Sequence, residues 1–268
     1  MVDPADAIGL ARTAVTQRAE LPGMSLMEHL DELRRRIVHS AIFLALGFFI
    51  AWFFRDRLVG FIQAPLNHIG KSLVFTHPMD PLNLDLQVAL LGGAILASPF
   101  ILFQVWLFIA PGLYQKERRF VVPFMAATVG LFLGGASFGY FYVLPGAIKI
   151  LIVDFGHNFT SMVTIEDYSS FFLSVILGLG ISFELPILIF FLAMFGIVSP
   201  QFLWKNIRYA ILAVFLVAAI ITPSPDPWTM CIYAVPMLCL YMIGIGVAWW
   251  VHPSRRKAKE AAAKEAAK

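Results

Sequence analysis

"GLGISFELPILIFFLAMF", residues 178–195, is an unbroken apolar run in which Ser182 and Glu184 are the polar side chains. About 20 such residues cross a bilayer as a helix, because the helix satisfies every backbone N–H and C=O internally. An acid in mid-run costs about 2.5–3.5 kcal/mol on the insertion scale. Glu184 therefore marks a position that faces water or a polar partner. A carboxyl hydrogen-bonded within its own bundle is the alternative reading.

The rest of the chain agrees with a membrane setting. Of 268 residues, 59% are hydrophobic and 14% charged, with a mean hydropathy of +0.79. Soluble domains are nearer half apolar and a quarter charged. The runs are continuous rather than alternating, which excludes an outer-membrane barrel. They fall roughly at 37–54, 84–109, 120–150, 168–195, 209–222 and 230–251. The third is long, with Pro123 and Pro145 near its ends. The fifth, between Arg208 and Pro223, offers about 21 Å of helix against a hydrocarbon core of about 30 Å, so it stops short or the bilayer thins around it.

Charge sets the orientation. Sixteen of the 20 Lys and Arg residues fall on one side of six crossings, which predicts both termini in the cytoplasm. Trp52, Trp106, Trp204, Trp228, Trp249 and Trp250 sit near span ends, as an interfacial belt requires. Residues 1–23 read as a disordered tail without a cleavable signal, or Met24 is the true start. Residues 24–252 form the spanning domain, and 253–268 a charged, Ala/Glu/Lys-rich cytoplasmic tail. Cys231 and Cys239 lie about 12 Å apart along one helix, too far for a bridge.

"MSLMEHLDELRRRIV", 24–38, opens with a Ser25–Glu28 capping box and places Leu26, Leu30, Leu33 and Ile37 on one face. It reads as an amphipathic helix lying along the cytoplasmic surface and feeding the first span. Glu32 and Arg36 are spaced for an ordinary i,i+4 pair. In "APGLYQKERRFVVP", 110–123, positive-inside topology explains Arg118 and Arg119 but not the acid Glu117. Two carboxylates at cytoplasmic helix ends suit a guanidinium ligand, which pairs bidentately with them. A literal Gly-x-Ser-x-Gly at 135–139 lies inside a span with no His partner, so it is not a hydrolase elbow. Gly130, Gly134, Gly135 and Gly139 instead give small-residue spacings for close helix approach. No metal, phosphate-loop or nucleic-acid signature is legible, so no cofactor is expected and the chain is not read as an enzyme.

"HLDELRRR" (29–36), "FQVWLFIAPGLYQKERR" (103–119) and "FELP" (183–186), in that order on this topology, resemble TatC, the multispanning subunit of the twin-arginine protein translocase. The resemblance covers residues 24–251. It implies an all-α integral membrane protein of six transmembrane helices in a curved, concave bundle, with short fifth and sixth helices, in the bacterial plasma (inner) membrane. It implies further that Arg-Arg signal peptides of folded cargo bind at Glu32 and Glu117, with Arg34 and Tyr114 on the same face. Glu184 and Thr222 match positions where single-span TatA/TatB-type subunits dock. Pro65 and Asp226 match the two periplasmic loops. Other TatC copies and lipid are further partners, and the proton-motive force drives export. Near Trp228 and Met230 the polar side chain that often binds partners is absent, and "TPSPDP" is one residue longer than usual. The rival class, a small-solute or ion transporter using Glu184, lacks inverted repeats and a second intramembrane charge. A passive assembly scaffold differs only in not binding signal peptides directly.

Overall fold

The computed structural model describes residues 26–109, 121–158, 160–222 and 227–251. Its elements are α1 (Leu26–Phe53), α2 (Arg55–Asn67), β1 (Leu73–Val74), α3 (Asp80–Ile109), α4 (Val121–Phe138), a π-helical segment (Gly139–Val143), α5 (Leu144–Ile148) and a second π segment (Lys149–Asp154). Then come β2 (Val163–Thr164), α6 (Ile165–Ser182), α7 (Leu185–Met194), α8 (Pro200–Lys205), α9 (Ile207–Ile221) and α10 (Pro227–Val251). Among the described residues, five stretches are long and apolar enough to cross a membrane: Met27–Phe53, Asp80–Phe108, Pro123–Asp154, Ile165–Met194 and Pro227–Val251. The chain is a multipass, all-α membrane protein.

As the sequence predicts, α9 is short: its 15 residues make about 22 Å of helix. The sixth apolar helix is not short. Pro227, whose missing N–H costs nothing at a helix start, begins α10 early, and the apolar run carries it for 25 residues to Val251. Nor does a separate surface helix precede the first span. The segment from Leu26 runs unbroken through Phe53 as one 28-residue rod, with Leu30 and Ile37 exposed rather than packed inward. No Pro or Gly separates its amphipathic and apolar halves, so nothing bends it.

The rod α1 lies antiparallel against α3. Their closest approach is Gly47 on Gly93, where an added Cβ on Gly47 would stand 2.5 Å from the Gly93 carbonyl oxygen. Small residues let backbones meet where hydrocarbon provides no hydrophobic drive. Of the five glycines in the third span, Gly135 and Gly139 serve this purpose against α6, while Gly130, Gly134 and Gly146 face open space. The main core joins α2, α3, α4, α5, α6, α9 and α10 around Leu66, Leu144, Leu179 and Tyr233. A smaller cluster of Ile189, Ala193 and Ala248 joins α7 to α10. Trp106 is no interfacial residue: it is buried, and its Nε1–H donates to Thr128 Oγ1 at 3.1 Å.

Pro65, expected in a loop, lies buried in the last turns of α2. Without an N–H it leaves the Phe61 carbonyl, four residues back, lacking its helical donor. The Tyr140 hydroxyl donates to that carbonyl at 3.0 Å while its ring stacks on Phe61 at 4.0 Å. At the next residue, the Tyr168 hydroxyl donates to the Ile62 carbonyl at 2.7 Å. Two tyrosines thus strap α2 to the third and fourth spans. Tyr140→Phe is expected to cost about 1 kcal/mol, seen as a fall in Tm of about 2–4 °C for the protein in detergent. An unchanged Tm would show that the strap carries no load. At the same end of the bundle β1 and β2 pair in parallel, Leu73 opposite Val163. Asp80 begins α3 there by accepting the Thr76 and His77 amides, each at 2.8 Å.

Candidate functional site

Glu32 projects from α1 one turn before Arg36, and helix geometry brings the two together. Arg36 Nη2 donates to Glu32 Oε1 at 3.1 Å. Its Nη1 donates to Gln104 Oε1 at 3.2 Å, so the same guanidinium ties α1 to the end of α3. The predicted pair therefore forms, with a third member that sequence reasoning missed. Gln104, 7% exposed, is a polar residue inside the run "FQVWLF", which is the signal that marks it. The other oxygen of the carboxylate, Glu32 Oε2, has no hydrogen-bond donor among the described residues. A carboxylate has lone pairs for about four donors, so the buried Oε2 is an unsatisfied acceptor at the helix end. Arg34, two residues from Glu32, is exposed on another side of α1. Glu117 and Tyr114 lie outside the described residues, as does Asp226.

The second candidate locus is a break in the fourth span. Residues 183–184 interrupt the helix between α6 and α7. Pro186 causes this: it has no N–H for the Ser182 carbonyl, and its ring clashes with it. The Phe183 amide still reaches Leu179 O at 3.0 Å, but the Glu184 amide falls back to Ile181 O at 3.0 Å, a tighter turn. Glu184 sits at this break as the first flank of α7, and its carbonyl accepts from the Leu188 amide at 2.9 Å. Its side chain is half-buried, and Oε1 has no partner among the described residues.

Aromatic packing fixes the depth of Glu184. Phe191, about 10 Å further along α7, meets Trp106 edge-on at 4.6 Å, and Trp106 stands two residues beyond Gln104. The Glu184 carboxyl is thus near the middle of the bundle, and the Glu32 pair is at its rim. Thr222, at the far end of α9, is buried, and its hydroxyl donates to Ala218 O at 2.9 Å. Ile221 beside it packs on Gly178 of α6, six residues before Glu184. Pro65 belongs to the opposite end from Glu32. The structure thus joins Glu32, Arg36 and Gln104, keeps Glu184 at a separate depth, and leaves Arg34, Thr222 and Pro65 apart from both.

Residues 28–236 match the family model described as Sec-independent protein translocase protein (TatC). The chain belongs to the TatC family. A Sec-independent protein translocase protein TatC from Koribacter versatilis is 50% identical over 267 residues, covering 97% of this chain and 96% of that one. Its counterpart in Deinococcus radiodurans is 39% identical over 84% of this chain and 86% of its own. A crystal structure of the twin-arginine translocase receptor TatC superposes with a TM-score of 0.77 at 36% identity, over 84% of this chain and 99% of that one. At that identity the match extends beyond the bare fold. The break at Glu184 and the Glu32–Arg36–Gln104 contact are thus found in a chain of the TatC family.

Proposed function

We propose that this TatC-family chain is the receptor subunit of a twin-arginine translocase in a bacterial plasma membrane, with both termini cytoplasmic. It binds the Arg-Arg signal peptides of folded precursors at the rim that carries Glu32. Glu117 supplies a second carboxylate to that rim, and Arg34 and Tyr114 border it. The observation that carries this reading is the Glu32 carboxylate: Arg36 occupies one oxygen and the other lacks a donor. An arriving guanidinium then shares a carboxylate already oriented by Arg36 and Gln104. Charge-assisted bonds of this kind are about twice as strong as neutral ones.

In this reading the apolar part of the signal peptide enters the bundle, and single-span TatA/TatB-type subunits approach Glu184 and Thr222. Multimerised partners pass the folded cargo, and the proton-motive force drives the cycle. The short α9 supports this, because a helix shorter than the hydrocarbon thins the bilayer beside it. The test is a photocrosslink from a photoreactive residue beside the Arg-Arg pair of a signal peptide to this protein, in the wild type and in Glu32→Lys and Glu117→Lys. Reversing either charge is expected to cut crosslinking about tenfold or more, the scale of a lost charge-assisted bond replaced by repulsion. Undiminished crosslinking in both variants removes the assigned role.

A further inference from the structure

We propose that the apolar cavity between α2, α3, the third span and α6 holds an acyl chain of a membrane phospholipid whose phosphate binds Arg57. The cavity encloses about 250 Å³ in the half of the bundle away from Glu32. Its walls include Leu58 and Phe61 of α2, Leu91 of α3 and Phe172 of α6, with Leu133 and Phe141 of the third span at its edge. Phe61, Leu133 and Phe141 are exposed, so the mouth opens on the hydrocarbon side of the protein and not toward its core.

The lining selects the occupant. Its one phenol, Tyr140, already spends its hydroxyl on the Phe61 carbonyl. Water entering would find few partners, and apolar cavities of about 150 Å³ stay dry yet take up hydrocarbon. A helix about 10–12 Å across does not fit a space of this size. A single flexible chain does, and the bilayer supplies such chains at the mouth.

Charge fixes the other end of the ligand. Arg57 and Phe61 are i,i+4 on α2 and share one face, so the guanidinium stands one turn from the cavity rim. Arg55 is engaged with Asp85 at 3.4 Å, whereas Arg57 is exposed and has no ion pair among the described residues. Phosphate is its natural counterion.

The test is native mass spectrometry of the full chain in detergent, titrated with palmitoyl-oleoyl-phosphatidylglycerol. One saturable adduct is expected on the wild type, and none with glycerol phosphate, which lacks the chains. Arg57→Ala is expected to weaken the adduct about fivefold, the worth of one basic residue at a membrane surface. Ser137→Phe, at an exposed position of the cavity wall, is expected to abolish it by filling the mouth, while Ser137→Ala leaves it unchanged. Wild-type occupancy in Arg57→Ala or in Ser137→Phe overturns the assignment. So does displacement of the lipid by an apolar single-span peptide, which would give the cavity to a partner helix. None of these readings depends on signal-peptide binding at Glu32, so the two proposals fail separately.

Discussion

Gly93→Val is expected to separate α1 from α3 and to lower stability by about 3 kcal/mol or more. A Cβ on Gly93 would stand 2.5 Å from the Phe48 amide nitrogen and 2.7 Å from its Cα, both backbone atoms that no rotamer change can move. Relief requires the whole helix to shift, which pulls Arg36 away from Gln104 at the rim. The Tm in detergent should fall by about 6–12 °C, and crosslinking at the rim should fall with it. Gly130→Ala is the control: nothing lies within 4 Å of its added carbon, and alanine is the better helix former. A Gly93→Val protein that melts like the wild type would mean that the two rods are not held at this crossing.

The second large effect separates folding from function. Glu184→Ala should leave the Tm unchanged or raise it, because the carboxyl oxygen it removes is buried without a partner among the described residues. Pro186, not Glu184, makes the break between α6 and α7, so the local backbone survives the change. Docking of a single-span partner should nevertheless weaken about 5–30-fold, the scale of one or two kcal/mol for a polar contact between membrane helices. Export of a twin-arginine reporter in cells should drop accordingly. Full export, or a Tm lowered by several degrees, would show instead that the acid is an internal strut.

What was legible in the sequence follows from which interactions are local. The spans could be read because about 20 apolar residues in a row have no other stable use. The Glu32–Arg36 pair was legible for the same reason: four residues of helix dictate it. The helix α2 was not. Its charges at Arg55, Asp56 and Arg57 and its Pro65 imitate a loop, and the donor that repairs the proline, Tyr140, lies 79 residues along the chain from the Phe61 carbonyl it serves. Gln104 was visible as a polar residue in an apolar run, but its partner on α1 is a tertiary fact. The Gly47–Gly93 crossing was missed because small-residue spacing within one helix does not say which other helix it meets. Trp106 misled for a related reason: nearness to a span end places a tryptophan at the interface only if no hydroxyl, here that of Thr128, claims its N–H first.

The π segments at Gly139–Val143 and Lys149–Asp154 have a consequence for how such a chain changes over generations. Each i→i+5 turn holds one residue more than the α-helix around it needs. The third span therefore stores slack: losing a residue from either turn lets the helix close up without rotating what lies on both sides. Length differences that would scramble the facing of any other crossing are tolerable there, and relatives with a one-residue gap in this span should cluster their gaps at these two turns.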